Sequence, residues 1–137
     1  AGFDHVVLAT GVAPRRPSWP GIEHPRVLRY ADVIEGRTPV GARVAIVGAG
    51  GIGFDVAELL SHEHLEGNEL EQFTATWGID LQGQSPGGLT NPQPARMSRE
   101  LWLLQRRSDS LGKGLGKTTG WIRRALLRRR GVNMPTG

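Results

Sequence analysis

The 137-residue sequence contains no cysteine. That absence excludes disulfide bonds, thiolate metal sites and a thiol nucleophile within this sequence. It fits a reducing compartment, and we expect a cytoplasmic protein. No apolar run approaches the roughly 20 residues that a membrane-spanning helix needs, so we expect no membrane segment. The sequence does not begin with methionine, and we expect it to be part of a longer polypeptide.

Residue patterns for catalysis and metal binding are also missing. The run His62-Glu63-His64 lacks the spacing of an H-E-x-x-H zinc site, and His5 and His24 are isolated. No serine, histidine and acid combination can be argued from the sequence. We therefore expect neither a metal ligand nor a catalytic residue here.

Glycine is abundant, and its arrangement carries the main signal. The β-branched run at 43–47 ends in G-x-G-x-x-G, and residues 54–61 follow as a helix, which together are typical of a dinucleotide-binding turn. Gly48 permits the turn, Gly50 allows close approach of a diphosphate, and Gly53 permits tight helix packing. The alternative is a glycine-rich turn without a ligand. The candidate cofactor contacts in this turn are Gly48, Gly50, Gly51, Ile52 and Gly53.

Strand and helix patterns alternate along the chain. This order predicts an α/β fold: a partial doubly wound, Rossmann-like parallel sheet with a long insertion at about 62–98, between the first helix and the second strand. The further predicted elements, in chain order, are a buried strand at 3–11, an irregular proline-rich crossover at 12–25, a short helix at 31–34 ended by Gly36, a short helix at 70–77 inside the insertion, a strand at 101–105, a helix at 120–130 capped by Thr119, and the opening of a third strand at 132–134.

The end of the second strand predicts which dinucleotide binds. An acid about 20 residues after the motif would select NAD, but Glu66 and Glu69 fall at the exit of the helix and not at a strand end. The strand end carries Arg106 and Arg107, which favours the 2′-phosphate of NADP(H). Because neighbouring strand residues point to opposite faces, we expect one arginine, Arg106 before Arg107, to make the main contact. The alternative is that both are solvated edge charges.

Two further basic segments allow other interpretations. Residues 112–118 resemble a P-loop, but Leu111 stands where the first glycine is required. Lys113 or Lys117 could still reach a cofactor phosphate, and a flexible connector is the alternative. The net charge is +4, and most of the positive excess lies from Arg96 to Arg130, where it could attract nucleic acid, an anionic surface or a phosphorylated ligand.

The basic helix predicted at 120–130 carries five positive charges. Its interleaved apolar residues predict a core stripe, which leaves the arginines on a solvated face or at an interface with missing domains. Nucleic-acid binding is the less favoured interpretation, because no nucleic-acid module surrounds the helix. The arginines are Arg123, Arg124, Arg128, Arg129 and Arg130, and the apolar residues are Trp121, Ile122, Ala125 and Leu126.

Five stretches together resemble the reductase half of bacterial 2,4-dienoyl-CoA reductases. They are VLATG at 7–11, VGAGGIGFD at 47–55, WGID at 77–80, LQR at 104–106 and GLGKTTGWI at 114–122. The resemblance covers nearly the whole chain. It implies a large flavoenzyme in which hydride passes from NADPH to FAD, electrons cross a [4Fe–4S] cluster to FMN, and FMN reduces the dienoyl-CoA.

The resemblance also implies how the chain is divided. Residues 1–40 would be the end of an FAD-domain segment, with Ala9, Thr10 and Gly11 near FAD, followed by the crossover. Residues 41–137 would be the N-terminal part of the NADPH-binding domain. The FMN barrel, the cluster cysteines and most of the FAD domain are absent, so the expected partner is the remainder of the parent polypeptide and the fragment alone is expected to be inactive. The alternatives are a non-catalytic dinucleotide-binding module and a basic nucleic-acid-binding fragment.

Overall fold

The computed structural model describes residues 2–62, 68–93 and 97–137. Within these ranges two strands, β1 and β2, pair in parallel, with Arg43 opposite Glu100 and Val47 opposite Leu104. The α/β class, the parallel sheet and the insertion between the glycine-motif helix and β2 are confirmed. The elements are α1 (Tyr30–Ile34), β1 (Arg43–Val47), α2 (Gly51–Ser61), α3 (Glu69–Trp77), a 3₁₀ turn (Pro86–Gly88), β2 (Glu100–Leu104) and α4 (Gly120–Arg129).

The chain after α4 lies beside β2 as a third, irregular position of the sheet. Parallel bridges join Trp102 to Asn133 and Gln105 to Thr136. The backbone N–H of Asn133 also donates to the carbonyl of Leu101 at 2.9 Å. The predicted third strand is therefore confirmed in place and direction, but it consists of isolated bridges and not of a continuous strand.

The core lies between α2 and the sheet. Leu101 and Leu103 are fully buried because alternate residues of β2 face the same side. Phe54 and Ala57 of α2, three residues apart on one helix face, are fully buried against them. Each fully buried large apolar side chain contributes roughly 1.5–3 kcal/mol, so this small cluster stabilises the corner where β1 meets α2.

The strand predicted at 3–11 is wrong for this structure. These residues form neither helix nor strand, and the side chains of Phe3 and Val7 are 83% and 87% exposed. A strand needs a neighbour to satisfy its backbone groups, and the described sheet of β1 and β2 does not pair with this segment. The proline-rich stretch that follows is irregular, as predicted, and α1 ends before Gly36, whose φ of +67° favours glycine.

The insertion is more ordered than its composition suggests. The predicted helix is present as α3, which begins with a capping box between Asn68 and Glu71 and ends at Gly78 in the left-handed conformation. After it, the Asp80 carboxylate accepts hydrogen bonds from the N–H groups of Gln82 (2.9 Å) and Ser85 (2.6 Å). These hydrogen bonds, the one from Ser85 foremost, lower the pKa of Asp80 below its ordinary value.

Helix α4 lies on α2 by a different face from the one predicted. Gly120 and Leu127 are buried, whereas Trp121 is 57% exposed and Ile122 is also exposed. The predicted core stripe of Trp121, Ile122, Ala125 and Leu126 is therefore wrong. Periodicity allowed more than one face, and hydrogen bonds made by arginines decided between them.

The predicted cap of α4 is also corrected. Thr119 occupies the N-cap position, but its side chain makes no capping hydrogen bond. Its backbone already has a helical ψ of −19°, whereas a side-chain cap needs an extended conformation.

Candidate functional site

The turn between β1 and α2 begins with a glycine that the backbone requires. Gly48 has φ of +114°, which a residue with a Cβ rarely adopts. Its N–H donates to the carbonyl of Leu104 at 3.0 Å. The turn is therefore fixed to the carboxyl end of β2, two residues before Arg106.

Two other glycines of the motif have opposite surroundings. A Cβ added to Gly53 would lie 1.9 Å from the carbonyl oxygen of Gly48, so this glycine allows the helix to pack on the turn. A Cβ added to Gly50 would meet no protein atom within 4 Å. The space beside Gly50 is therefore open, and its φ of −85° does not itself require glycine. Packing explains Gly53 but leaves Gly50 unexplained by contacts within the described chain.

The open glycine lies where α2 begins. Gly50 is the N-cap residue of α2, and no side chain caps it. The first N–H groups of a helix have no intrahelical acceptors, and the helix dipole favours an anion at this end. Gly51 is equally open, and Ile52 is 47% exposed. This end of α2 can accept a phosphate group without moving a side chain.

A cleft of about 710 Å³ lies in front of this turn. Its wall includes Gly48 and Gly50 from the turn, Arg106 and Arg107 from the end of β2, and Lys113 from the glycine-rich loop. Residues up to 65 positions apart in the sequence thus meet at one edge of the sheet, because the carboxyl ends of parallel strands lie together. The arrangement joins an anion-accepting helix end to four cationic side chains, those three and Arg15.

The two arginines of the cleft, Arg106 and Arg107, are exposed. Their guanidinium groups form no hydrogen bond or ion pair with any residue that the structure describes. The loop that carries them is nevertheless held in place. Gln105 Nε2 donates to the backbone carbonyl of Asp109 (2.7 Å), to its Oδ1 (3.0 Å) and to the carbonyl of Arg107 (3.1 Å). The loop therefore presents two guanidinium groups that take no part in the hydrogen bonds that hold it.

Of the two lysines that the sequence analysis considered as phosphate contacts, Lys113 and Lys117, only the first lies at the cleft. Lys113 lies on the wall of the cleft and its Nζ is 3.5 Å from Oδ2 of Asp109. Lys117 does not line the cleft. The alternative of a flexible connector does not fit the loop entirely, because Leu111 and Gly112 are buried.

Several other sequence candidates lie away from this cleft. Ala9, Thr10 and Gly11 are exposed and do not line it, so their contact with a flavin stays a prediction. Glu69 is the first residue of α3, and Glu66 lies outside the described residues. The division of the chain at residue 40 also stays a prediction.

Sequence reasoning missed several residues of the cleft, two of them in the proline-rich crossover. Arg15 and Trp19, both from the proline-rich crossover, form part of its wall. Their only sequence signal is that a positively charged and an aromatic residue stand in a segment too rich in proline for regular structure.

Four of the five arginines at 123–130 donate hydrogen bonds to other described residues of the protein. Arg123 donates to the carboxylates of Asp55 and Glu58 on α2, and its pKa is raised mainly by the hydrogen bond to Asp55. Arg130 donates to Ser61 Oγ at 3.1 Å and to the carbonyl of Glu58 at 3.3 Å, and burial lowers its pKa. These contacts connect α4 to α2, so Arg123 and Arg130 do not lie on a solvated face, which was one of the two expectations for these arginines. An interface with missing domains stays a prediction.

The remaining members of this helix differ. Arg124 points towards the carbonyls of Leu111 and Gly112, at 3.5 and 3.4 Å. Arg129 donates to the carbonyl of Thr76 at 3.0 Å and lies 4.6 Å from the ring centroid of Trp77, which connects α4 to the insertion. Arg128 is exposed.

Residues 2–62, 68–93 and 97–137 contain no helix with the length and hydropathy of a membrane span. The same ranges contain no cluster of three or more histidine or acidic side chains that could hold a metal ion.

The fold and the cleft define a Rossmann-like dinucleotide-binding unit. The family model of the pyridine nucleotide-disulphide oxidoreductases matches residues 1–137. The chain therefore belongs to the pyridine nucleotide-disulphide oxidoreductase family, whose members bind FAD and NAD(P).

Two individual proteins are similar to the chain. A metal reductase of Desulforamulus reducens is 30% identical over 131 residues, which are 96% of this chain and 19% of that protein. The solved structure of a 2-naphthoyl-CoA reductase in complex with 2-naphthoyl-CoA matches with a TM-score of 0.62 and 20% identity, over 93% of this chain and 14% of that one. The second likeness shows the fold alone. The chain spans less than one fifth of the length of either protein.

Proposed function

We propose that this chain is the NADP(H)-binding part of an oxidoreductase that passes hydride from NADPH to FAD. The observation that carries the proposal is the cleft in which the open turn at Gly50 faces Arg106 and Arg107. Both are exposed, and their guanidinium groups make no hydrogen bond or ion pair with a described residue. The residues present fit a dinucleotide with three phosphates.

Each part of the cleft has a binding role in this proposal. The N–H groups at the start of α2 donate to the diphosphate, and the missing Cβ of Gly50 lets the backbone approach it. Arg106, with Arg107 as the second candidate, donates to the 2′-phosphate. When bound, NADPH supplies the hydride. The chain's own task is to bind and orient it, since no catalytic side chain is assigned here.

A preference for NADP(H) is the first test. Calorimetric titration of the full-length protein with NADP⁺ and NAD⁺ avoids turnover and measures both dissociation constants. We expect NADP⁺ to bind tenfold to a hundredfold more tightly, because one charge-assisted hydrogen bond contributes about 1.5–3 kcal/mol. Equal affinities would contradict the role of the arginines, and the absence of binding to either would reject the site.

The electron acceptor beyond FAD is the finer part of the proposal. The five stretches that resemble 2,4-dienoyl-CoA reductases favour an acyl-CoA thioester, with FMN and a [4Fe–4S] cluster held by other parts of the full-length protein. Ala9, Thr10 and Gly11 would contact FAD. The fold shared with a reductase of an aromatic acyl-CoA is compatible with this choice. Oxidation of NADPH that depends on added 2,4-dienoyl-CoA would support it, and oxidation indifferent to the thioester would reject it.

Reduction of a metal ion as substrate is a second candidate. It is favoured by the 30% identity to a metal reductase over nearly the whole chain. Both candidates use the same transfer from NADPH to a flavin, so they differ only in the acceptor. Parallel assays with a soluble ferric complex and with a dienoyl-CoA distinguish them by the acceptor that accelerates NADPH oxidation.

Two other candidates have less support. A non-catalytic dinucleotide-binding module would bind NADP⁺ but would not reduce a flavin in the full-length protein. Nucleic-acid binding is not favoured, because Arg123, Arg124 and Arg130 donate to acceptors within the protein. We also propose a cytoplasmic location, with the remainder of the parent polypeptide as the physical partner of this chain.

A further inference from the structure

The glycine-rich loop brings a third cation to the corner that carries the two arginines. Lys113 and Asp109 both line the cleft, and their side chains form an ion pair. Asp109 is in turn held by Gln105, the residue that precedes Arg106. Lys113 is thus connected through Asp109 to the end of β2, where the sequence places the 2′-phosphate.

This ion pair can open with little loss. The Lys113 side chain is 74% exposed, the N–O distance is 3.5 Å, and exposed pairs of this kind contribute little to stability. Asp109 would remain fixed without the lysine, because Gln105 Nε2 donates to both its backbone carbonyl and its Oδ1. A phosphate carries more charge than one carboxylate and is the stronger acceptor.

We propose that the ammonium group of Lys113 leaves the Asp109 carboxylate and binds the 2′-phosphate of NADP(H), so that Lys113 determines specificity together with the arginine pair. The inference rests on the proposed function and assigns a further residue to the same site. Asp109 holds the lysine at the cleft while no phosphate is bound. It also competes with the phosphate for the same cation.

The test uses adenosine 2′,5′-bisphosphate and adenosine 5′-monophosphate, which differ by the 2′-phosphate alone. Calorimetry on the full-length protein compares Lys113→Gln with Lys117→Gln, a matched control that removes the same charge from the same loop but outside the cleft. We expect Lys113→Gln to weaken the bisphosphate about tenfold and leave the monophosphate unchanged. We expect Lys117→Gln to change neither.

A second variant tests the competition. Asp109→Asn keeps an oxygen that can accept from Gln105 but removes the charge that holds Lys113. We expect it to tighten the bisphosphate roughly two- to fivefold, the range that corresponds to an exposed ion pair. In the Lys113→Gln background the same change should have a smaller effect, since the competition for the lysine is already absent.

The outcomes separate this inference from the function on which it rests. Equal effects of Lys113→Gln and Lys117→Gln, or equal weakening of both nucleotides, would overturn the role of Lys113. Weaker binding by Asp109→Asn would overturn the exchange. If Arg106→Ala still removes the preference for the bisphosphate, the proposed function survives. A wild-type protein without that preference would remove the basis of both.

Discussion

Two groups of arginines in this chain look alike in sequence and differ in their surroundings. The cleft arginines, Arg106 and Arg107, are exposed beside an open helix end, and their guanidinium groups bind no described residue. The helix arginines, Arg123, Arg124 and Arg130, donate to carboxylates, carbonyls and a hydroxyl of the same protein. Only the first group has guanidinium groups that donate no hydrogen bond to a described residue.

The difference teaches how a basic segment should be interpreted. A guanidinium has five N–H donors, and a buried one must find acceptors nearby. Helix α4 finds them on α2, so its positive charge contributes to packing. The loop after β2 fixes its own backbone through Gln105 and leaves the two guanidinium groups unused. Charge alone predicts neither outcome; the local acceptors decide it.

The largest expected effect is the loss of dinucleotide affinity when the glycine turn beside the cleft arginines is changed. Gly50→Val should weaken both NADP⁺ and NAD⁺ by roughly a hundredfold or more, because the side chain occupies the space needed for the diphosphate and removes hydrogen bonds of about 1.5–3 kcal/mol each. Stability should change little, since a Cβ at Gly50 meets no protein atom within 4 Å. Calorimetry on the full-length protein measures the binding.

Gly41→Val is the matched control, because Gly41 is equally open and does not line the cleft. Unchanged NADP⁺ affinity in Gly50→Val would show that the diphosphate does not bind at this turn, beside the cleft arginines. Gly53→Ala serves as the opposite control. Its Cβ overlaps the carbonyl of Gly48, so it should lower the free energy of unfolding by about 1–3 kcal/mol or more.

The second largest expected effect is a loss of NADP⁺ affinity, but not of NAD⁺ affinity, when a cleft arginine is replaced. Arg106→Ala should weaken NADP⁺ tenfold to a hundredfold and leave NAD⁺ unchanged, because only NADP⁺ carries the 2′-phosphate. Arg107→Ala should have a smaller effect. Thermal unfolding should be the same in both variants. Equal losses for the two dinucleotides would show that the arginine serves another phosphate or none.

The helix arginines should show the reverse pattern. Arg130→Ala should lower the free energy of unfolding by about 1–3 kcal/mol, since Ser61 Oγ and the carbonyl of Glu58 lose a donor in a partly buried place. The ratio of NADP⁺ to NAD⁺ affinity should not change. Urea unfolding of the full-length protein, or of the smallest part shown to unfold cooperatively, provides the measurement.

Arg128→Ala is the control for this prediction. Arg128 is exposed on the same helix, and the substitution should stay within about 0.5 kcal/mol. A loss as large as that of Arg130→Ala would mean that general charge, and not the contacts with α2, stabilises the helix.

The smallest expected effect is a pH-dependent change in stability at Asp80, an acidic residue that, like the helix arginines, has its partners within the protein. Asp80 is satisfied by backbone N–H groups, and its pKa is lowered in the fold. Its contribution to stability is therefore present above its ordinary pKa of 3.8 and is lost as the pH falls through the lower folded value. Asp80→Asn should be slightly less stable than wild type at pH 7, and the difference should shrink below pH 3.8. Denaturation midpoints of both proteins, measured at pH 7 and at a pH below 3.8, test this. A difference between the two proteins that is the same at both pH values would contradict it.

Sequence patterns predicted most of the regular structure. The glycine turn, α2, α3, β2 and the parallel direction of the sheet follow from short-range periodicity, turn chemistry and the alternation of strands and helices, and all were confirmed. The prediction of a strand at 3–11 was wrong because a strand pattern indicates only that a segment can pair with another strand. Whether it does depends on a neighbour that lies elsewhere in the chain or outside it.

The site was predictable in its parts and not in its assembly. The glycines and Arg106 follow from the position of each relative to a strand end. The contributions of Arg15 and Trp19 depend on the path of an irregular segment, which no periodicity records. The contacts of Arg123 with Asp55, 68 positions apart, similarly required the structure.

A crystal structure of the full-length protein with NADP⁺ tests the central claim most directly. The account predicts that the diphosphate lies against Gly50 at the start of α2 and that the 2′-phosphate accepts hydrogen bonds from Arg106 or Arg107. A dinucleotide bound elsewhere, or a cleft filled by another segment of the protein, would contradict it.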